Sequence, residues 1–163
     1  MKFRARLSRQ GTNSQEVWPG SVPVVVFACI ENSFRSQLAE ALFNAEAPKG
    51  WRAVSGGSNP GKAVNPVIHE LLSEVGVEAA AAEPKPLTAD QFREARFFIT
   101  MGCGEEACPP GVKGVKHVQW DFPGATGKDP GELREIRDAI WMNVRELLEQ
   151  CLAEDERQTA RKS

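Results

Sequence analysis

A cysteine and an arginine six positions apart, Cys29 and Arg35, lie between an apolar segment and an amphipathic one. The apolar segment, residues 22–28, is rich in valine, as expected of a strand that is covered on both faces of a parallel sheet. From Phe34 onward, apolar residues recur at spacings of three and four, which predicts a helix. The intervening residues are therefore predicted to form a loop with Cys29 at the strand end and Arg35 at the helix start.

Such a loop favours the binding of an oxyanion. Unpaired amides and the positive end of the helix dipole attract an anion and favour a thiolate at Cys29. Arg35 would add a permanently charged, bidentate clamp on two oxygens of that anion. The alternative is a buried cysteine at a strand end and an arginine on a helix surface. We predict instead an anion site above a nucleophilic cysteine, lined by Ile30, Glu31, Asn32, Ser33, Phe34 and Arg35.

The rest of the chain alternates between predicted strands and helices. Strands are predicted near 22–28, 51–55, 96–101 and 116–120, and helices from Phe34, between 64 and 75, from Thr88, and from Leu133 to Cys151. We expect a flexible polar arm over 1–21, one α/β domain over 22–152, and a charged tail over 153–163.

Composition limits the classes of partner. The net charge is only −2 and no basic block occurs, so neither nucleic acid nor an anionic membrane is expected as a partner. No apolar run has the length of a membrane span, and the polar N-terminal residues do not resemble a signal peptide. We therefore expect a cytoplasmic protein whose four cysteines are not a structural disulfide framework.

Several segments beyond the loop follow a recognisable order. They are 55–57, 64–66, 85–88, 99–101 and 134–138. Together with the loop they resemble the low-molecular-weight protein tyrosine phosphatases and the thioredoxin-coupled arsenate reductases that share their fold. The resemblance covers about residues 22–151 and implies a single four-stranded parallel sheet with helices on both faces. It also implies that Asn32 and Ser36 brace the loop and hydrogen-bond the thiolate.

A second cysteine pair, Cys103 and Cys108, follows the third predicted strand. The carboxyl ends of parallel strands meet at one edge of a sheet, so this segment should lie on the same side as Cys29. Zinc is the rival interpretation, but a structural zinc site needs four ligands and only His69 and His117 could complete it. Two thiols without a function are a further alternative. We predict a redox pair, with no metal and no cofactor.

The resemblance implies two enzymatic functions. An arsenate reductase of this kind would attack arsenate with Cys29 and pass the resulting oxidation to Cys103 and Cys108, whose order in the relay is taken from the family. Thioredoxin or another dithiol reductant would then reduce the pair. A low-molecular-weight protein tyrosine phosphatase would hydrolyse phosphomonoesters through a phosphocysteine intermediate on Cys29 and need only Cys29 and Arg35. A catalytically weak anion-binding or redox-sensing module is the third alternative.

The chain departs from the family pattern at the general acid. Where the family usually carries an Asp-Pro pair, an ungapped match places Gly124 and Ala125. Asp121 and Asp129 are the candidate acids nearby, provided that the intervening glycine-containing loop adopts a different shape. Glu31 is a second departure, because a carboxylate that pointed into the anion pocket would repel the ligand. We expect its side chain to point outward.

Overall fold

The computed structural model describes residues 23–79, 83–102 and 115–162. The elements in chain order are β1 (Val24–Cys29), α1 (Arg35–Glu46), β2 (Arg52–Gly57), α2 (Val67–Ser73), α3 (Ala89–Glu94), β3 (Ala95–Thr100), β4 (Lys116–Gln119) and α4 (Pro130–Lys162). The strands form one sheet in the order β2-β1-β3-β4, and every neighbouring pair is parallel. The predicted four-stranded parallel α/β fold is confirmed, and each strand begins and ends within two residues of its predicted limits.

Both faces of the sheet are covered. Alternate side chains of β1 point to opposite faces, so Phe27 and Cys29 belong to the larger core, where α1 and α4 pack, and Val26 belongs to the smaller one. On the smaller face, Phe92 of α3 stacks on Phe98 of β3 with ring centroids 4.7 Å apart. The predicted apolar stripe of α4 is buried along its length: Leu133, Ile136, Ile140, Val144, Leu147 and Cys151.

Local sequence features account for the limits of the two short helices, α2 and α3. Thr88 and Gln91 form a reciprocal capping box at the start of α3. Pro66 precedes α2 directly, and the chain leaves that helix through Gly76 at a φ of 76°. Such signals depend on a few neighbouring residues, which is why they can be predicted without knowledge of the fold.

The last helix, α4, continues past the boundary predicted at residue 152 and ends at Lys162. Two charged residues beyond 152 have partners at the sheet. Glu154 bonds to Lys116 of β4 at 3.0 Å, and Asp155 accepts a hydrogen bond at 3.0 Å from the indole of Trp51, the residue before β2. Glu154 is 9% exposed and Trp51 is 2% exposed. Residues 153–162 therefore belong to the domain. The predicted arm over 1–21 lies outside the described residues.

The described part of the chain was also searched for membrane-spanning segments. None of its helices combines the length and the apolar character that crossing a membrane requires.

Candidate functional site

Cys29 is the last residue of the central strand β1, and its side chain lies at the base of the loop that leads to α1. The residue is 2% exposed. Its sulfur accepts a hydrogen bond from the amide of Asn32 at 3.2 Å and lies 2.9 Å from the hydroxyl oxygen of Ser36. The Cys29 sulfur is thus held by the loop that follows it and by the first turn of α1.

The loop is held in shape from its outer side. Asn32 has a left-handed φ of 56°, which turns the chain sharply and which asparagine tolerates better than most residues. Four loop carbonyls then accept hydrogen bonds from the segment after β2 at 2.8–3.1 Å: Cys29 from Ser58, Ile30 from Asn59, Glu31 from Gly61 and Ser33 from Asn65. The carbonyl groups are engaged there, which leaves the opposite side of the loop to its amides.

The start of α1 completes the anion-binding geometry. In the part of the chain that the structure describes, Phe34 precedes this helix without any side-chain cap. The first amides of a helix have no partner within the helix, and the helix dipole is positive there. An oxyanion above Cys29 would meet these amides, as such groups do at many helix N-termini.

Gly57, at the end of β2, lies directly against the loop. A Cβ atom at this position would be 2.5 Å from the carbonyl oxygen of Ile30. Any side chain would therefore push the loop away from β2. The sequence motif 55–57 marked this position without indicating its reason, which is the close approach of two backbones.

Asn32 and Ser36 occupy the positions expected of loop braces. The amide nitrogen Nδ2 of Asn32 donates to the hydroxyl of Ser36 at 2.7 Å and to that of Ser55 at 2.9 Å. Its oxygen Oδ1 accepts from the main-chain amide of Lys85 at 2.8 Å and from Gln37 at 2.9 Å. Asn32, Ser36 and Ser55 are all fully buried. The brace therefore joins the loop, α1, β2 and the segment before α3.

Arg35 contacts the two segments that follow β3 and β4. Its Nη1 donates a hydrogen bond of 2.9 Å to the carbonyl oxygen of Phe122, which follows β4. Gly102, which follows β3 at a φ of 92°, lies so close that a Cβ atom there would be 2.5 Å from the same Nη1. Sequence analysis did not identify either contact, because both join residues far apart in the chain.

The other predicted loop residues differ in the orientation and exposure of their side chains. Glu31 is exposed, and its carboxylate lies beside Gly61 and 3.5 Å from the hydroxyl of Ser33, in agreement with the expected outward orientation. Phe34 is 5% exposed and packs in the larger core, so it offers the site only its main chain. Ile30 is 40% exposed and forms an apolar part of the rim.

The two candidate acids occupy different environments. Asp129 accepts a hydrogen bond from the amide of Glu132 at 2.8 Å, and its own amide donates to the Glu132 carboxylate at 3.1 Å. These bonds cap α4, so the Asp129 carboxylate is occupied as a helix cap. Asp121 is exposed and accepts a hydrogen bond from Gln119 at 3.2 Å. Of the two, Asp121 is the one whose carboxylate is not committed to a helix terminus.

The remaining cysteines divide into two groups. Cys103 and Cys108 lie outside the described residues, although Gly102, to which Cys103 is bonded, packs against Arg35. Cys151 is fully buried in α4, and burial, together with the nearby Asp155, raises its pKa to about 12. A thiol of this kind is inert as a nucleophile at neutral pH.

The two histidines do not form a metal site with the residues that the structure describes. In those ranges no group of three or more metal-ligating side chains comes together. His117 instead lies 3.3 Å from the hydroxyl of Thr100, and His69 is exposed on α2.

Comparison with protein families gives one match over most of the chain. The family model described as low molecular weight phosphotyrosine protein phosphatase matches residues 24–158. The match begins at β1 and includes the greater part of α4.

Arsenate reductases are among the similar proteins. One from Brevibacillus brevis is 28% identical over 126 residues, which are 77% of this chain and 93% of that protein. A solved thioredoxin-dependent arsenate reductase from Corynebacterium glutamicum is 32% identical with a TM-score of 0.72, covering 88% of this chain and 70% of that one. The arsenate reductase from Archaeoglobus fulgidus is 32% identical with a TM-score of 0.63, covering 76% of this chain and 98% of that one.

A phosphatase with a different substrate has a similar structure. The arginine phosphatase from Geobacillus stearothermophilus is 21% identical with a TM-score of 0.72, covering 83% of this chain and 96% of that one. At this identity the likeness concerns the fold alone.

Proposed function

Because the chain belongs to the low molecular weight phosphotyrosine protein phosphatase family, and its relatives include arsenate reductases, we propose that it reduces arsenate to arsenite. The observation that carries the proposal is the hydrogen-bonded Cys29 sulfur beneath a braced loop and an uncapped helix start. This geometry suits a tetrahedral oxyanion above a thiolate. The 32% identity to two arsenate reductases supports arsenate as that oxyanion.

In the first step the loop amides and Arg35 hold arsenate while the Cys29 thiolate attacks arsenic. A sulfur–arsenic bond forms, and one arsenate oxygen leaves as water after protonation. Ser36 and the Asn32 amide stabilise the thiolate before the attack, through the hydrogen bonds to its sulfur. Asp121 is the proposed source of the proton, since Asp129 is engaged in capping α4.

In the second step a thiolate of the second cysteine pair, Cys103 in the family's order, attacks the sulfur of Cys29. The sulfur–arsenic bond breaks, its electron pair stays on arsenic, and arsenite leaves. A Cys29–Cys103 disulfide has formed, so the two sulfurs have supplied the two electrons. Cys108 then attacks Cys103, which frees Cys29 and leaves a Cys103–Cys108 disulfide.

The position of Gly102 supports this relay. The residue before Cys103 packs against the guanidinium of Arg35, the group that would clamp the oxyanion. The peptide chain therefore enters the segment of the second cysteine pair from the anion site itself.

An external dithiol would complete the cycle by reducing the Cys103–Cys108 disulfide. The Corynebacterium glutamicum structure carries the description thioredoxin-dependent, which makes a thioredoxin the proposed donor here. Thiols that cycle in this way need a reducing compartment, so we place the protein in the cytoplasm.

Phosphomonoester hydrolysis is the second candidate function, favoured by the family model itself. It would use Cys29 and Arg35 through a phosphocysteine intermediate and would not need Cys103 or Cys108. Its weakness lies at the leaving group, which needs a positioned acid. Asp129 is a helix cap and Asp121 is exposed, so esters with poor leaving groups should react slowly.

Disulfide mapping distinguishes these functions. The fully reduced protein is mixed with arsenate without any reductant, and the intact mass and the disulfide pattern are then determined. The proposal expects the loss of two hydrogens, a Cys103–Cys108 disulfide, and one arsenite released for each protein molecule. The variant Cys29→Ser should show none of these three results, whereas Cys151→Ser should behave like the parent chain.

Two other results would contradict the proposal. If every thiol stays reduced while the same sample hydrolyses an aryl phosphate, the protein is a phosphatase. If phosphate binds but neither reaction occurs, the protein is an anion-binding or redox-sensing module.

A further inference from the structure

Glu40 lies on α1, one turn beyond the loop brace, with a side chain that is 18% exposed. Its carboxylate accepts a hydrogen bond from the hydroxyl of Ser55 and forms an ion pair with the ammonium of Lys85 at 3.3 Å. Ser55 in turn contacts Asn32. Glu40 is therefore joined by hydrogen bonds to the residue that braces the candidate nucleophile.

The donor in each hydrogen bond of this chain of contacts can be assigned from which groups are able to donate. The main-chain amide of Lys85 can only donate, and it points at Oδ1 of Asn32 at 2.8 Å. This contact fixes the side-chain amide of Asn32, so Nδ2 must face Ser36 and Ser55. Each of those hydroxyls consequently accepts a hydrogen bond from Asn32 and keeps its own proton for another partner.

The proton of each hydroxyl then has a defined acceptor. Ser55 donates to the carboxylate of Glu40, which can only accept when ionised. Ser36 donates to the sulfur of Cys29, 2.9 Å away, when that sulfur is the thiolate of the proposed reaction and can only accept. The chain thus presents a hydroxyl proton to Cys29 and needs a carboxylate at its other end.

The ion pair keeps that carboxylate in place. The ammonium of Lys85 lies 3.3 Å from the Glu40 carboxylate and 3.5 Å from the hydroxyl of Ser55. Arg52 is a second positive charge near Glu40. The ion pair with Lys85 orients the carboxylate oxygen that accepts from Ser55.

We propose that Glu40 and Lys85 are positioning residues for the Cys29 thiolate, acting through Ser55, Asn32 and Ser36. The proposal rests on the proposed function only in so far as Cys29 is the nucleophile. It applies equally to arsenate reduction and to phosphoester hydrolysis, since both begin with the same thiolate.

The test measures the rate at which iodoacetamide alkylates Cys29 at one fixed neutral pH, with kcat and KM for arsenate measured alongside. Glu40→Leu removes the acceptor, and we expect alkylation and kcat to fall roughly three- to tenfold, the range set by one net hydrogen bond. KM should change less, because the loop amides and Arg35 remain. Glu40→Gln keeps an acceptor oxygen for Ser55 and should recover most of the rate.

Lys85→Met tests the other end of the chain. It should slow alkylation in the same direction as Glu40→Leu, and Lys85→Arg should restore the rate. A simple effect of charge on the thiolate would instead give opposite signs for the loss of an anion and the loss of a cation. The double variant should be no slower than the slower single variant, since both substitutions break one chain.

Glu46→Leu is the matched control. Glu46 lies on the same helix and bonds to Trp141 and Arg145 of α4, away from the chain that leads to Cys29. Equal alkylation rates in Glu40→Leu, Glu46→Leu and the parent would overturn the proposal. If Glu40→Leu does not fold, Lys85→Met, whose side chain is 37% exposed, gives the same decision.

The outcomes for the two proposals are separable. A parent chain that releases no arsenite contradicts the proposed function, yet the alkylation rates of its variants still test the positioning role. Unchanged alkylation in an active reductase contradicts the positioning role alone.

Discussion

The guanidinium of Arg35 donates a 2.9 Å hydrogen bond to the main-chain carbonyl of Phe122, 87 residues further along the chain. The arginine that would clamp the oxyanion is thereby oriented by the loop after β4. On its other side Gly102 leaves just enough room for the same nitrogen. The position of the Arg35 guanidinium is thus set by residues that follow two other strands, β3 and β4.

Arg35→Lys should weaken oxyanion binding. An ammonium cannot reproduce the bidentate geometry of a guanidinium, and it would also lose the bond to Phe122. The loss of one hydrogen bond to a charged group corresponds to roughly a ten- to hundredfold lower kcat/KM. Steady-state kinetics with arsenate would measure this. Arg93→Lys, at an exposed ion pair on α3, should leave kcat/KM unchanged.

Gly102→Ala should impair oxyanion binding beyond its effect on stability. The added Cβ would lie 2.5 Å from Nη1 of Arg35, so the guanidinium must move. The matched control is Gly50→Ala, because Gly50 has a φ of 91° against 92° for Gly102 and has no neighbour within 4 Å. Both variants should lose about 1 to 2 kcal/mol of unfolding free energy. Phosphate titration should weaken only for Gly102→Ala, and equal weakening in both would contradict this explanation.

Asp129→Ala should destabilise the protein without slowing turnover. Removing the cap of α4 costs about 1 kcal/mol of unfolding free energy, measured by denaturant titration. Asp129→Asn keeps a capping oxygen and should be close to the parent in both stability and activity. If Asp129 were the general acid, the asparagine variant would be stable but slow. Asp121→Asn should show that second pattern.

Glu154→Gln should lower stability at neutral pH and have less effect in acid. Hydrogen bonds from Arg157 and Lys116 lower the pKa of Glu154 to about 2 from an ordinary value near 4.5. The folded state therefore holds the proton less tightly than the unfolded state does. The stabilisation is complete above about pH 4.5 and disappears as the pH falls through 2.

Denaturant titrations across that pH window would measure the effect of Glu154→Gln. We expect a difference of about 1 to 3 kcal/mol from the parent at pH 7. Glu156→Gln, at an exposed neighbouring position, is the control. A Glu154 variant whose deficit stays constant from pH 7 to pH 2 would show that the carboxylate's charge is not the cause.

Cys151 should resist alkylation in the native protein. Its pKa is raised to about 12 by burial, with Asp155 and Glu154 adding to the effect, so almost no thiolate exists at neutral pH. Mass spectrometry after brief iodoacetamide treatment should find Cys29 modified and Cys151 intact until the protein is unfolded. Rapid labelling of Cys151 in the folded chain would contradict its place in the core.

Short-range features of this chain were predictable, and long-range ones were not. The β1 strand and the capping box at Thr88 depend on local patterns, and the sequence reveals them directly. The Asp129–Glu132 box at the start of α4 has the same spacing and could also have been recognised. The contacts of the charged residues after 152 were not predicted, because polarity alone does not reveal that Lys116 and Trp51 lie close enough to bond to them.

In the candidate site, too, short-range features were predictable and long-range ones were not. The order of residues from Cys29 to Ser36 was enough to predict a loop between a strand and a helix, and the structure has that loop. The roles of Gly102 and Phe122 depend on where distant strand ends converge, which no local pattern specifies. The role proposed for Glu40 could not be predicted from the sequence, because it depends on the position of Ser55 on β2.

The four outer hydrogen bonds that fix the carbonyls of the anion loop bear on how arsenate is told from phosphate. A binding site whose hydrogen-bond donors are already in place distinguishes ligands by their shape and charge. Arsenate and phosphate have nearly the same shape and the same charge. Binding equilibrium alone then gives little preference, and abundant phosphate competes for the same cradle. In the proposed reaction, selectivity would therefore arise after binding, in whether the covalent adduct on Cys29 can accept two electrons, as arsenic(V) can and phosphorus(V) cannot.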